Sequence, residues 1–288
     1  MDTNQHSNSF VTLRNDLAFK SVFGNEANRE IIIRFISDLL EIPRNSIRSM
    51  QLAPTVLTTE YRDEKYGILD LLFDIDGQTI NIEVQLSKHS QFNERTLFYW
   101  AKLYYGKVDT GKSFGEARKT ICINIVDFDA FEFEDYHSCF EVRERENGTL
   151  LSDKLQIHFF ELKKLEEYRK NKPVEEWLDL LNANTEEELM NVKNNANIPE
   201  VKDTAVKITH FNADEMTRHI MLQKEIWELD QKSFIEDARN DGLAKGLAQG
   251  ETIGFNNALV SLVKNGTITL SVAAENAKMT EEEFRKFL

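Results

Sequence analysis

A two-residue turn at Asp76-Gly77 constrains this sequence more than any other feature. It separates two segments rich in apolar and β-branched residues, 67–75 and 78–86, a pattern typical of a tight β-hairpin. With this turn, Ile75 pairs with Gln78, and the same register places Asp70 opposite Glu83. The other face of the hairpin is then wholly apolar, with Leu69, Leu71 and Phe73 facing Val84, Ile82 and Ile80.

Asp70 and Glu83 form a pair of carboxylates that needs compensation. Opposed residues on one face lie about 4.5–5.5 Å apart, where like charges repel, so the pair requires a proton, a cation or open water. A plain acidic, solvent-facing strand is one reading, but Ile68 and Leu72 share the Asp70 face. Hard divalent cations take carboxylate oxygens as ligands. The hairpin therefore favours a metal site.

Composition sets wide bounds on the class of protein. The chain has 288 residues, of which 41% are apolar, enough for a real hydrophobic core. The polar N-terminus shows no secretion signal and no segment reads as a membrane span, so we expect a cytoplasmic protein without membrane contact. Cys122 and Cys139 lack the spacing of metal ligands or redox pairs.

The net charge of −14 does not exclude a nucleic acid partner, because it is unevenly distributed. Residues 1–125 carry 15 Lys and Arg against 16 Asp and Glu, whereas the rest of the chain carries 20 against 33. Basic residues follow the hairpin closely, at Arg95, Lys102, Lys107, Lys112, Arg118 and Lys119. The first part of the chain therefore has room for a locally positive surface.

The order of predicted elements indicates an α/β domain over residues 1–170. Apolar residues at helical spacing predict two helices between Asn15 and Leu40, broken near Gly24. An extended segment over 47–59 precedes the hairpin. A helix over 92–105, a buried strand over 119–128 and another strand near 155–162 follow. The order α-β-β-β-α-β predicts a mixed sheet flanked by helices.

Two helical regions are predicted beyond this domain, a connecting region over 171–235 and a C-terminal region over 236–288. The first includes a capping box at Thr185–Glu188 and a continuous helical run over 199–232. The second has a glycine at every fourth position from Gly242 to Gly254. A helical stripe of glycines would suit self-association into a homo-oligomer, and a flexible linker is the alternative. Two short helices over 268–288, the second beginning with three glutamates, favour packing over reading of DNA.

Several segments in this order resemble the PD-(D/E)xK nuclease superfamily, and more closely its Rpn branch of recombination-promoting nucleases, also described as transposases. They span about residues 14–165. The segments are Asn15–Phe23, Ile68–Leu71, Asn81–Gln85, Arg95–Tyr104 and His158–Lys163.

The resemblance implies a restriction-endonuclease-like α/β core and a metal-dependent DNA endonuclease, linked to bacterial recombination or mobile elements. Asp70 and Glu83 would hold Mg²⁺ or Mn²⁺. Gln85 would complete the catalytic set in the position of the superfamily's lysine, where a neutral amide can only orient by hydrogen bonds. A catalytically weak or inactive DNA-binding or assembly protein, and a nuclease acting on RNA, are the alternatives.

Four further residues are candidates for support of this site. Lys20 and Lys88 are able to supply the charge that Gln85 lacks, or are ordinary surface lysines. Asp16 either approaches the metal from the first helix or caps that helix. Arg95 is predicted to bind a backbone phosphate or to support the carboxylates, whereas Tyr99 and Lys102 on the same helical face are predicted to pack.

Overall fold

A six-stranded mixed sheet is the centre of the first structural unit. The computed structural model describes residues 10–57, 67–88, 90–105, 113 and 117–288. Its strands in chain order are β1 (Met50–Leu52), β2 (Val56–Leu57), β3 (Gly67–Ile68), β4 (Leu71–Ile75), β5 (Gln78–Gln85), β6 (Thr120–Val126), β7 (His137–Phe140) and β8 (Leu155–Glu161). The large sheet has the order β1-β4-β5-β6-β8-β7, and β2 pairs with β3 alone.

Strand direction divides the large sheet into a hairpin half and a parallel half. Strands β1, β4 and β5 are antiparallel neighbours, β5, β6 and β8 run parallel, and the edge strand β7 is antiparallel to β8. The C-terminal ends of β5 and β6 therefore lie side by side, with Gln85 paired to Val126. This edge of the sheet is where the predicted site residues of β5 lie.

The described helices in chain order are α1 (Asp16–Phe23), α2 (Arg29–Leu40), α3 (Phe92–Tyr105), α4 (Val174–Asn182), α5 (Glu186–Asn195), α6 (Pro199–Ala213), α7 (Glu215–Lys264), α8 (Leu270–Asn276) and α9 (Glu281–Arg285). A mixed sheet flanked by helices, with a helical C-terminal region, confirms the predicted α/β class. The predicted break near Gly24 is confirmed, and the predicted bounds of α3 are those observed.

One face of the sheet packs against α1, α2, α4, α5 and α6 in a large apolar core. Aromatic rings are at its centre: the ring centroids of Phe23 and Phe35 lie 4.3 Å apart, and Phe35 lies 5.1 Å from Trp177. Because this core runs from α1 to Ile208 in α6, the first compact unit extends to Arg218. The boundary predicted at residue 170 falls inside it.

The other face of the sheet is covered by α3. Its core is smaller and contains Leu69, Leu72, Phe92, Leu103 and Phe159, among others. The edge-to-face rings of Phe92 and Phe128, with centroids 5.4 Å apart, fix the N-terminal turn of α3 over the end of β6. This contact places Arg95, one turn later, above the C-terminal edge of the sheet.

The second unit, His219–Leu288, consists of the rest of α7 followed by α8 and α9. The four glycines from Gly242 to Gly254 lie inside α7, so this segment is helical and not a flexible linker. A Cβ at any of these glycines would have nothing within 4 Å. Leu259, Ala273, Ala274 and Phe284 form a small core at the C-terminal end, and the predicted capping box at Thr280 is present.

Two local predictions differ from the structure, and one strand was not predicted. The run predicted as one helix over 199–232 is interrupted at Asp214, which has extended backbone dihedrals. Thr185 caps α5 as predicted, but the Glu188 carboxylate accepts from the Asn184 N–H and not from Thr185 itself. The edge strand β7 was not predicted.

Candidate active site

The hairpin turn forms as its sequence predicts. Asp76 and Gly77 have φ values of 49° and 76°, the left-handed pair that a two-residue hairpin turn requires. The register runs from Ile75 paired with Gln78 to Leu71 paired with Ile82. This part of the predicted pairing is confirmed, and it brings Asp70 to the position beside Glu83.

The ladder ends at Leu71 because the Asp70 side chain replaces a backbone acceptor. Asp70 Oδ2 accepts a hydrogen bond from the Val84 N–H at 2.9 Å, and the Asp70 N–H donates to Glu83 Oε1 at 3.2 Å. The Leu69 N–H meanwhile donates to the Thr55 carbonyl at 2.9 Å. The two carboxylates are thus fixed to each other's backbone.

This break corrects one prediction about the hairpin face. Leu69 was predicted on the same face as Leu71, but it belongs to the core under α3, whereas Leu71 belongs to the core on the opposite face. Strict alternation ends where the chain leaves the ladder, so the two leucines point to opposite sides.

Burial of both carboxyls disfavours their charge. Glu83 is 6% exposed, and its burial, together with the negative charge of Asp70, raises its pKa from 4.5 to about 7. Burial also raises the pKa of Asp70, against the opposing effects of the Val84 N–H and Lys20. A proton or a bound cation would each offset the cost of holding these two charges together.

Asn81 is a member of the site that the sequence reasoning missed. It lies two residues before Glu83 on the same face of β5, is 1% exposed, and its side chain forms a hydrogen bond with Glu83 that favours the ionised carboxylate. Asn81 Oδ1 has no hydrogen-bond partner among the residues that the structure describes. The available signal was a polar residue at an inward position of an otherwise apolar strand.

Helix α1 brings a lysine to the carboxylates. Lys20 Nζ lies 2.6 Å from Asp16 Oδ1 and 3.8 Å from Asp70 Oδ1. Burial opposes the charge on Lys20, but the hydrogen bond to Asp16 and the nearby negative charges outweigh it and raise the pKa of Lys20. Of the two predicted alternatives for Asp16, the cap is not observed: Asn15 is the N-cap, accepting from Leu17 and Ala18.

Helix α3 contributes Arg95 from the other face. The guanidinium carbon lies 5.5 Å from the centre of the Phe92 ring, and its positive charge partly opposes the burial that raises the pKa of Asp70 and Glu83. Tyr99 packs against the core under α3, and Lys102 Nζ lies 5.8 Å from the Phe98 ring centre. Arg95 is thus the member of this predicted face whose charge acts on the carboxylates.

Gln85 and Lys88 follow Glu83 along the chain. Gln85 is half-buried at the end of β5, on the same face as Glu83, and its carbonyl accepts from the Asp127 N–H at 3.0 Å. Lys88 Nζ donates to the carbonyls of Asp129 and Ala130 at 2.8 and 3.3 Å. The Lys88 ammonium therefore binds the loop after β6 and does not contact the carboxylates in this structure.

The donor set fits a hard divalent cation. Within the described ranges, no group of three or more histidine, cysteine, aspartate or glutamate side chains is arranged to hold a metal. Mg²⁺ needs less, since one or two carboxylates usually hold it while water and substrate phosphates fill the other positions. Asp70 and Glu83 supply such a pair.

A family model for the PD-(D/E)XK nuclease family transposase matches residues 13–238. The chain belongs to this family. No curated protein and no solved structure matches it. The mixed sheet of this PD-(D/E)XK chain is consistent with the nuclease fold, and nucleases of the superfamily generally use divalent metals. None of the described helices is both long enough and apolar enough to cross a membrane.

Proposed function

We propose that this PD-(D/E)XK protein is a metal-dependent endonuclease that hydrolyses phosphodiester bonds of DNA. The observation that supports this most is the Asp70–Glu83 pair at the edge of the sheet, in which Glu83 is buried and Asp70 half-buried, and on which two cations from different helices act. The transposase description of the family supports a role in recombination or mobile elements, which we include in the proposal.

In this proposal, Asp70 and Glu83 hold one Mg²⁺ or Mn²⁺ ion. A bound ion of this kind polarises a phosphate oxygen and favours ionisation of water. Asp70 uses Oδ2 for the Val84 N–H, so Oδ1 is the oxygen available to the ion. The hydrogen bonds from Asp70 N–H and from Asn81 fix the Glu83 carboxylate before the ion arrives.

The remaining side chains act on the substrate. Arg95 binds a non-bridging oxygen of the scissile phosphate, for which its planar donors are suited. Gln85, on the face of Glu83, orients the attacking water by hydrogen bonds. The water oxygen bonds to phosphorus, one ester P–O bond breaks, the water proton passes to solvent, and the leaving oxygen takes a proton from water. The products are a phosphomonoester and a free hydroxyl.

A plasmid-nicking assay tests the proposal. We expect nicking of supercoiled DNA with Mg²⁺ or Mn²⁺ and none with EDTA. Asp70→Asn and Glu83→Gln should each lower the rate by roughly 10³-fold, because each removes a charge that the ion needs. Asp74→Asn is the matched control, since Asp74 lies in the same hairpin and pairs with Arg118 at its surface.

The alternatives give different results in the same assay. If the wild type binds Mn²⁺ and DNA but never cuts, the chain is a binding or assembly protein. If it cuts single-stranded RNA of the same sequence much faster than duplex DNA, the substrate class is wrong. Equal nicking by the wild type and both carboxylate variants would refute the assigned site.

We also propose that α7 mediates self-association. Within the second unit it exposes Ile220, Leu229, Phe234, Ile235, Leu243, Leu247, Ile253 and Phe255. The open glycine positions would let a second helix approach closely.

A further inference from the structure

The proposed site has no positively charged residue at the last position of the PD-(D/E)XK motif. The PD-(D/E)XK pattern ends in lysine, and the segment Glu83-Val84-Gln85 has a neutral amide there. Phosphodiester hydrolysis builds negative charge on the phosphate oxygens, which a fixed positive charge stabilises. Gln85 cannot supply that charge. Arg95 supplies one cation from α3, so a second cation beside the carboxylates has to come from another element.

Lys20 lies close enough to the carboxylates to stabilise negative charge on a phosphate bound there. Its Nζ lies 3.8 Å from Asp70 Oδ1, and its charge acts on both Asp70 and Glu83. The core contacts of Phe19, Val22 and Phe23 fix the rotation of α1, and the Asn15 cap fixes where the helix begins. The direction of Lys20 toward the carboxylates is therefore set by the fold.

Two other basic side chains at this end of the sheet, Lys88 and Arg14, are engaged elsewhere. Lys88 is bonded to two carbonyls of the following loop. Arg14 pairs with Asp127 at 2.6 Å. Arg95 acts on the carboxylates from α3, on the opposite side of the sheet from α1. Among these described side chains, Lys20 and Arg95 act on the carboxylates, and Lys20 is the one that approaches them from α1, with its Nζ 3.8 Å from Asp70 Oδ1.

Asp16 determines how Lys20 is held. The 2.6 Å contact with Asp16 is much shorter than the 3.8 Å contact with Asp70. Because Lys20 is bonded to Asp16, Asp70 Oδ1 does not have to share a close ion pair with it. The ammonium stays beside the metal ligands without occupying the oxygen that the ion would use.

We propose that Lys20 takes over the role of the missing motif lysine as a catalytic residue, and that Asp16 is its positioning residue. This inference rests on the proposed nuclease function. The Lys20 ammonium donates a hydrogen bond to a non-bridging oxygen of the scissile phosphate, while bond making and breaking proceed as described above. The charge comes from the first helix of the domain, and not from β5.

A lysine-exchange experiment tests the inference. Lys20→Met keeps the aliphatic stem and should lower plasmid nicking by roughly 100-fold or more. Adding Gln85→Lys to Lys20→Met should restore at least a tenth of the wild-type rate, because it returns a cation to the motif position. Lys88→Met, the matched control from the same sheet edge, should cut like the wild type.

Mn²⁺ affinity provides a readout that does not depend on catalysis. Measured by electron paramagnetic resonance without DNA, the affinity of Lys20→Met should equal or exceed that of the wild type, because a positive charge near Asp70 is removed. Asp16→Asn should weaken Mn²⁺ binding several-fold, since Lys20 then turns to Asp70. This weakening should largely disappear in the Asp16→Asn/Lys20→Met double variant.

The inference and the proposed function fail in different ways. Wild-type nicking with an unaffected Lys20→Met variant would overturn the role of Lys20 and leave the nuclease intact. Loss of activity in Lys20→Met without rescue by Gln85→Lys, or with loss of Mn²⁺ binding, would also overturn it. A wild type that never cuts any nucleic acid refutes the proposed function itself.

Discussion

Replacing Glu83 with glutamine should make the metal-free protein more stable at alkaline pH. Glu83 is buried, and its pKa in the folded chain is about 7 against 4.5 for an ordinary glutamate. At about 1.4 kcal/mol per pH unit, ionised Glu83 costs the folded state about 3 kcal/mol. Glutamine removes this cost because it cannot ionise.

The hydrogen bonds of Glu83 are compatible with the substitution. A glutamine oxygen can accept from the Asp70 N–H as Glu83 Oε1 does, and Asn81 Oδ1, which has no partner, is available to accept from the new amide. Most of the gain should therefore survive, as an increase of about 2–3 kcal/mol in the free energy of unfolding. For a unit of this size that corresponds to a rise of about 5–10 °C in melting temperature.

The pH dependence follows from the raised pKa. The folded state holds the Glu83 proton more tightly than the unfolded chain does, so the contribution of Glu83 to wild-type stability is highest below about pH 4.5, falls as the pH rises from there to about 7, and is level above that. The gain from Glu83→Gln should thus be full near pH 8, shrink to about a quarter near pH 5 and vanish below about pH 4.5.

Urea denaturation of both proteins in EDTA, at intervals from pH 5 to 8.5, measures this difference. Mg²⁺ should raise the wild-type midpoint and leave the variant unchanged. Glu175→Gln is the contrasting variant, because this buried carboxylate accepts from Lys170 N–H, Asn171 N–H and Tyr136 OH. It should lose stability. A Glu83→Gln protein less stable than the wild type at pH 8, or a gain independent of pH, would refute the reasoning.

Two further predictions concern packing. Phe35→Ala should lower the free energy of unfolding by about 3–5 kcal/mol, measured by urea denaturation, because the ring is fully buried between Phe23 and Trp177. A loss below 1 kcal/mol would contradict the packing described. Gly246→Ala should increase helicity by circular dichroism, since an added Cβ meets nothing, yet shift sedimentation toward the monomer if the glycines form the self-association surface. Unchanged sedimentation of a wild-type oligomer would exclude Gly246 from that surface.

The hairpin shows how far local sequence can determine structure. Asp76 and Gly77 accept left-handed dihedrals, so the turn fixes the pairing of Ile75 with Gln78 and, by alternation, the pairs up to Leu71. No other part of the chain has to be known for that. The adjacency of Asp70 and Glu83 followed from the same register.

Features that the sequence did not predict arise where groups distant in the chain compete for the same hydrogen bonds. The Leu69 N–H is taken by the Thr55 carbonyl, an acceptor outside the hairpin, and this separates Leu69 from the face of Leu71. The edge strand β7 depends on pairing with β8, which lies beyond a long connection. At the start of α1, Asn15 and Asp16 are both good caps by type, and the sequence alone did not decide between neighbours.

The double use of Asp70 changes how sequences related to this chain should be interpreted. Its carboxylate serves the fold, through the Val84 N–H, as well as the proposed ion. A descendant that lost catalysis would still need an acceptor at this position, so selection for folding alone would tend to preserve Asp70. Glu83 also accepts from the Asp70 N–H, but it is the more deeply buried of the two, so its charge is the more costly one without a cation. The loss of Glu83, and not the retention of Asp70, is therefore the better sequence marker of an inactive lineage.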